Sequence, residues 1–284
     1  FYMSEKKDQV IGNTVQSKDI PAATSLYTPN WIVRYMVHNT LGRMWLATYS
    51  NSSIREKMEF YIEPAEQEQE VQAELDRLTP KELNPEEITF LDPACGSGHI
   101  LVEAYNLFKE IYLERGYRTR DIPKYILQNN LYGLEIDERS AQLAGFALLM
   151  KARQDNRRIL EKNNIKLNIQ AIQESNDLDA DYLARTLLRT KVKRLGRQQK
   201  QKYLINPPGE QLPLEVREEP EISKEQLQEL IDLFQDAKTY GSLIQLPETV
   251  WSNLDAFESL IEKNKQGDPE QQKVVQWLEP LVEQ

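Results

Sequence analysis

The chain has 284 residues, 40% of them hydrophobic, enough to bury the core of one large α/β domain or somewhat more. No apolar run approaches the roughly 18 residues a bilayer span requires, and a single cysteine, Cys95, beside two histidines excludes a disulfide framework and a multi-cysteine metal site. A formal charge of -10 argues against a surface that grips DNA throughout, and the expectation is a soluble, cytoplasmic protein without a metal ion.

Residues 1–24 read as a polar lead-in and residues 25–284 as one domain. Thr28 is placed as an N-cap and Pro29 in the first turn of a helix, because Ile32, Val33, Met36, Val37, Leu41, Met44 and Trp45 recur at three- and four-residue steps. Residues 51–87 read as an acidic insertion of helix and loop on the rim of the domain, punctuated by Pro64, Pro80 and Pro85. Ile88 to Leu91 forms a short apolar run ending in Asp92-Pro93-Ala94-Cys95-Gly96-Ser97-Gly98, the pattern of a buried strand entering a tight glycine turn. A helix follows through Ile111 and stops at Gly116.

Leu131 to Ile136 predicts a second strand, and Asp137 can cap the helix that runs to about Ala152. Ile165 to Ile172 is a third strand candidate on its alternation. Strand, helix, strand, helix, strand predicts a mostly parallel sheet with helices on both faces. Residues 177–284 are read more coarsely: helix over Leu178–Leu195, a short strand at Tyr203–Ile205, a capping box at Ser223 and Gln226 opening a helix through Phe234, strand at Ser242–Leu246 and helix at Trp251–Ile261. The chain opens at Phe1 without an export pattern and stops inside an amphipathic segment, Lys273 to Gln284, so both ends are expected to be cut from a longer polypeptide.

Charge is unevenly spread. From Glu59 to Glu87 ten acidic residues face only Arg77 and Lys81, whereas Arg185 to Lys202 carries eight basic residues and no acid. The basic stretch reads either as a phosphate-facing patch or as a solvated helix face.

A glycine turn at the carboxyl end of a parallel strand is where open α/β sheets bind nucleotide-like ligands. Gly96 and Gly98 are not followed by the third glycine of a dinucleotide fingerprint, whose place Leu101 takes, nor by the lysine and hydroxyl residue of a phosphate-cradling loop. Asp92 at the strand end would repel a pyrophosphate but can accept hydrogen bonds from an amine, and Glu135 at the end of the second strand can hold two ribose hydroxyls. A ligand with a ribose, a positive charge and no phosphate satisfies both carboxylates, and S-adenosylmethionine fits that description.

The heptapeptide Asp92–Gly98 resembles motif I of the amino-methyltransferases that modify exocyclic nitrogens in DNA. Tyr27-Thr28-Pro29 resembles their motif X, Gly133-Leu134-Glu135-Ile136-Asp137 their motif II, and motif X ahead of motif I matches the γ-type order of N6-adenine enzymes. Gln173-Glu174-Ser175-Asn176 lies where motif III falls. Ile20 to Thr24, Trp31 to Tyr35 and Gly98 to Leu101 are similar to PglX-like methyltransferases of BREX phage-defence systems. The resemblance implies a Rossmann-like S-adenosylmethionine-dependent fold, double-stranded DNA as substrate of the longer protein, and other defence subunits as partners. It also implies that Tyr27 and Thr28 border the cofactor, that Asp92, Pro93, Ala94, Cys95, Gly96, Ser97 and Gly98 cradle the methionine part, and that Glu135 holds the ribose while Ile136 and Asp137 flank adenine. The Cys95 side chain and His99 are read as structural.

The family activates the target amine with a motif (D/N/S)-P-P-(Y/F/W), whose aromatic ring stacks on a flipped base. Asn206-Pro207-Pro208 is followed here by Gly209 in place of the aromatic. Two readings stand: a degenerate catalytic motif, or a loop, with the motif beyond Gln284. The second is favoured, because Leu233 to Ile244 resembles a stretch that precedes that motif in PglX-like proteins. The rivals are a non-catalytic module that binds the cofactor as a scaffold, and a methyltransferase acting on RNA or protein.

Overall fold

The computed structural model describes residues 28–161, 165–188 and 222–283. Tyr27, the basic run beyond Leu188, the strand expected at Tyr203–Ile205 and the stretch Asn206-Pro207-Pro208-Gly209 lie outside them. The chain forms two compact units, one running through Gln173 and including Lys238–Leu243, the other comprising Glu174–Ala237 and Ile244–Glu283.

The first unit opens with α1 (Asn30–Val37), a π-helical turn (His38–Gly42) and α2 (Arg43–Thr48). Val33, Val37, Leu41 and Trp45 are buried at four-residue steps, whereas Met36 and Met44 face solvent, so the apolar stripe is narrower than the periodicity predicts. Thr28 is not the N-cap. Pro29 occupies that position, its carbonyl accepting from the amides of Ile32 and Val33 with no side-chain cap, because its extended backbone already points that carbonyl along the helix.

A 3-10 turn (Ser53–Lys57), α3 (Gln69–Leu78) and a second 3-10 turn (Pro85–Glu87) follow. No residue of α3 is buried, whereas Ile54 and Met58 belong to the main core. The Glu114 carboxylate fixes this junction, accepting from Ser52 Oγ at 2.8 Å and from Ser53 N and Oγ at 2.7 Å.

β1 (Phe90–Asp92), α4 (His99–Glu114), α5 (Ile122–Tyr125), a π-helical turn (Ile126–Asn130), β2 (Leu131–Glu135), α6 (Glu138–Asp155), a 3-10 turn (Ile159–Glu161) and β3 (Asn168–Ala171) complete the α/β part. The strands are parallel in the order β1-β2-β3, pairing Asp92 with Gly133 and Gly133 with Ile169. Two successive right-handed crossovers in one direction put α4 and α6 on the same face. On the opposite face Leu91 of β1 is 57% exposed.

α4 is the centre of the core, burying Leu101, Ala104, Tyr105, Leu107, Phe108, Ile111 and Tyr112. Its approach to the sheet depends on Gly133, where a β-carbon would come within 2.9 Å of both Leu101 and Ile169. Gly116 ends α4 as the sequence predicts: at φ +78° its amide bonds to Leu113 O, and Tyr117 N bonds to Tyr112 O, a Schellman closure. Asn130 is fully buried and ties the lead into β1, its Nδ2 donating to Pro85 O and Ile88 O at 2.7 Å and its Oδ1 accepting from Tyr112 OH.

The second unit is helical: α7 (Ala180–Leu187), α8 (Lys224–Leu233), α10 (Glu248–Trp251), α11 (Leu254–Lys265) and α12 (Pro269–Glu283), with the short α9 (Ala237–Tyr240) lying between α8 and α10 in the chain. The Ser223–Gln226 capping box is present. No strand forms at Ser242–Leu246. Gly241 has φ +53°, Gly241–Leu243 is a 3-10 turn, and Pro247 then serves as N-cap of α10. The helix expected over Trp251–Ile261 is interrupted at Ser252 and Asn253. Among the described residues no helix is long and apolar enough to cross a membrane.

Candidate cofactor site

β1 ends at Asp92, which is only 7% exposed. Its Oδ1 accepts from Ala94 N at 3.2 Å, while Oδ2 is buried with no partner among the described residues. The chain then bends: Cys95 N donates to Leu134 O at 2.9 Å, anchoring the turn to β2, and Gly98 N donates to Cys95 O at 2.8 Å. Gly96 and Gly98 take φ +53° and +85°, in the left-handed region that favours glycine. They differ in surroundings. A β-carbon on Gly98 would lie 3.0 Å from Ala144 of α6, whereas one on Gly96 would meet nothing within 4 Å among the described residues.

Glu135, the last residue of β2, closes the arrangement. Its Oε2 accepts from Gly96 N at 2.7 Å and its Oε1 from Asp137 N at 3.1 Å. Asp137 in turn caps α6, its Oδ2 accepting from Ser140 N and Oγ at 2.9 Å, as predicted from sequence. Ser97 Oγ lies 3.2 Å from His99 Nδ1, and the Ser97 amide has no partner among the described residues.

The electrostatics follow from this crowding of carboxylates at a strand end. Burial raises the Asp92 pKa, the Ala94 amide opposes it, and the Glu135 carboxylate adds to it. Burial, with Asp92 and Glu135 adding, pushes the Cys95 thiol up to about 12. Among the described residues neither Asp92 nor Glu135 is in an ion pair. Among the described residues the site thus combines carboxylates that have no cationic partner with an open glycine face. Such a site suits a cationic, hydrogen-bond-donating ligand and disfavours a phosphate.

The structure brings together Asp92, Pro93, Ala94, Cys95, Gly96, Ser97, Gly98, Glu135, Ile136 and Asp137 at the carboxyl ends of β1 and β2. Within that group Cys95 faces inward, its thiol in the core and its amide bonded to Leu134. Thr28 is half-buried ahead of α1, with no hydrogen bond to the turn among the described residues. One neighbour was not predicted from motifs: Gly241, far along the chain, lies against the site, a β-carbon there falling 3.6 Å from Ile136 Cγ2. Gly241 is the one sequence signal for that approach, and a glycine alone names no partner.

Residues 65–242 match the family described as the MmeI DNA-methyltransferase domain. The chain is 50% identical over 288 residues to the adenine-specific methyltransferase BrxX of Escherichia coli O9:H4 (strain HS), a match covering 100% of this chain and 23% of that protein. It is 41% identical over 170 residues to the adenine-specific methyltransferase PglX of Lacticaseibacillus casei (strain Zhang), covering 57% of this chain and 14% of that protein. The chain therefore spans a quarter or less of the length of these relatives.

Proposed function

The chain belongs to the MmeI-type DNA-methyltransferase domain family, and from that premise we propose that it is the S-adenosylmethionine-binding part of a DNA adenine-N6 methyltransferase of a phage-defence or restriction-modification system. The observation that carries this reading is the buried Oδ2 of Asp92, without a partner among the described residues, immediately before a glycine turn with an open face among those residues. A buried acceptor without a donor costs free energy that a ligand N–H recovers.

The residues present fit the cofactor. Asp92 accepts from the amine of the methionine part, and Gly96 and Ser97 let that part approach the backbone. Cys95 keeps the turn in place from beneath. Glu135 accepts from the ribose hydroxyls, Ile136 and Asp137 flank the adenine, and Tyr27 and Thr28 border the cleft. When bound, S-adenosylmethionine supplies a methyl group made electrophilic by the adjacent sulfonium. Double-stranded DNA is engaged by the longer protein, in the cytoplasm and alongside other defence subunits, and Asn206, Pro207 and Pro208 are the catalytic candidates within this chain.

Calorimetric titration with S-adenosylmethionine tests the reading. Heat of binding is expected from the wild type and its loss from Asp92→Ala and Glu135→Ala; undiminished binding by both variants places the pocket elsewhere. For transfer, a protein extended to the length of the relatives is assayed for labelled methyl groups on adenine in duplex DNA. Binding without transfer would support the scaffold reading that Gly209, in place of an aromatic ring, favours.

A further inference from the structure

The stretch Lys238–Leu243 belongs to the same compact unit as the sheet, although it lies far beyond β3 in the chain. It approaches the site at Gly241, whose β-carbon position is 3.6 Å from Ile136 Cγ2. The residue before it, Tyr240, is 57% exposed, and Leu243, two residues on, is 78% exposed. Tyr240 and Leu243 are thus exposed side chains on the segment whose Gly241 approaches Ile136, the residue that follows Glu135.

That placement has a chemical consequence. A nucleoside held by its sugar on Glu135 carries its base one residue further along, toward Ile136. A purine there has one aliphatic neighbour in Ile136 and needs a flat apolar surface on its other face. Resting on the cofactor reading above, we infer that Tyr240 forms the second wall of the adenine subsite, stacking on the base and selecting an adenine nucleoside over the amino-acid part alone. Stacking on an aromatic ring is tolerant of which base is present because every base offers a π-face. The selectivity is therefore for a nucleoside as a class. Gly241 supports this role: its positive φ turns the chain immediately after Tyr240, so the backbone passes Ile136 without a side chain to fill the gap.

The test uses the 284-residue chain and two probes in calorimetry, S-adenosylmethionine and methylthioadenosine, which keeps the nucleoside and lacks the amino acid. Tyr240→Ala is expected to weaken both probes roughly 5- to 150-fold, the range that base stacking spans. Tyr240→Phe binds as the wild type does, because the ring and not the hydroxyl makes the contact. Tyr240→Trp gains an emission that titration of either probe quenches. Asp92→Ala, by contrast, weakens S-adenosylmethionine and leaves methylthioadenosine little changed. Wild-type binding with unaltered affinity in Tyr240→Ala, or an unquenched Trp, overturns the inference while leaving the cofactor reading intact. Absence of binding by the wild type removes the cofactor reading itself, and the wall with it.

Discussion

Replacing Asp92 with Asn separates what the site does for a ligand from what it does for folding. The Asp92 carboxyl is buried and receives one hydrogen bond from Ala94 N, and its Oδ2 has no partner among the described residues. An unsatisfied buried polar group costs about 1–3 kcal/mol, and more when it is charged. Asn keeps an acceptor for Ala94 and removes the charge beside Glu135. The variant is therefore expected to be more stable than wild type by about 1 kcal/mol at neutral pH, raising Tm by about 2–4 °C for a chain of this size. The pH dependence has a definite sign. Burial raises the Asp92 pKa, so the folded state binds the proton more tightly than the unfolded state does. That contribution is complete below the ordinary carboxylate range and is lost as pH rises through the shifted value. The gain from Asn is thus largest at neutral pH and shrinks at about pH 4. Ligand binding moves the other way: losing a charged acceptor for an amine costs about 1.5–3 kcal/mol, or roughly 10- to 150-fold in Kd. Scanning calorimetry at the two pH values and titration with S-adenosylmethionine measure both effects. A lower Tm at neutral pH together with unchanged affinity would refute the assignment of Asp92 as a ligand-directed acceptor.

The two turn glycines provide a paired test. Gly98→Ala combines φ +85° with a 3.0 Å approach to Ala144 and is expected to cost more than about 2 kcal/mol in urea denaturation, whereas Gly96→Ala has open space and costs about 1 kcal/mol while intruding on the ligand face; equal stability losses would contradict the described packing. For Glu114, desolvation acts upward but hydrogen bonds from Ser53, Ser52 and Trp45 outweigh it and hold the carboxyl below its ordinary value. The stabilisation it provides is present above that ordinary value and is lost as pH falls through the depressed one. Glu114→Gln is therefore expected to lower Tm at neutral pH and to flatten its acid dependence, and an unchanged acid profile would argue against the hub. The Cys95 thiol, buried and pushed up to about 12, is expected to resist a disulfide reagent at pH 8 in the native protein and to react fully in urea; rapid native reaction would mean that the turn opens.

The legible parts of this chain are those whose signals are local. The Asp137 cap, the Ser223–Gln226 box and the Gly116 closure each depend on residues within about a turn of one another, and each is found where the sequence places it, while β1 and β2 end one residue from their expected ends, at Asp92 and Glu135. Where burial decides, the reading was less sharp. Ile54 and Met58 sit among charged residues that suggest a solvated insertion, yet both are core, because the Glu114 contacts draw that segment onto α4. Ser242–Leu246 is a short, mostly apolar run that suggests a strand but has no strand to pair with among the described residues, and Gly241 and Pro247 bend it away from an extended course. The same limit applies within the site. The heptapeptide Asp92–Gly98 marks the proposed ligand turn, but only the geometry separates Gly96, which faces open space among the described residues, from Cys95, which faces the core. The approach of Gly241 to Ile136 is a tertiary contact and leaves no pattern in the sequence around either residue.

Glu135 has a further consequence. With one oxygen held by Gly96 N and the other by Asp137 N, the side chain is confined to a single rotamer by the fold itself. A free glutamate loses roughly 0.5–1.5 kcal/mol of conformational entropy when a ligand immobilises it. Here that loss has already occurred during folding, so in the proposed complex a sugar at the remaining lone pairs would meet a stationary acceptor, with no further cost of ordering the side chain that receives it.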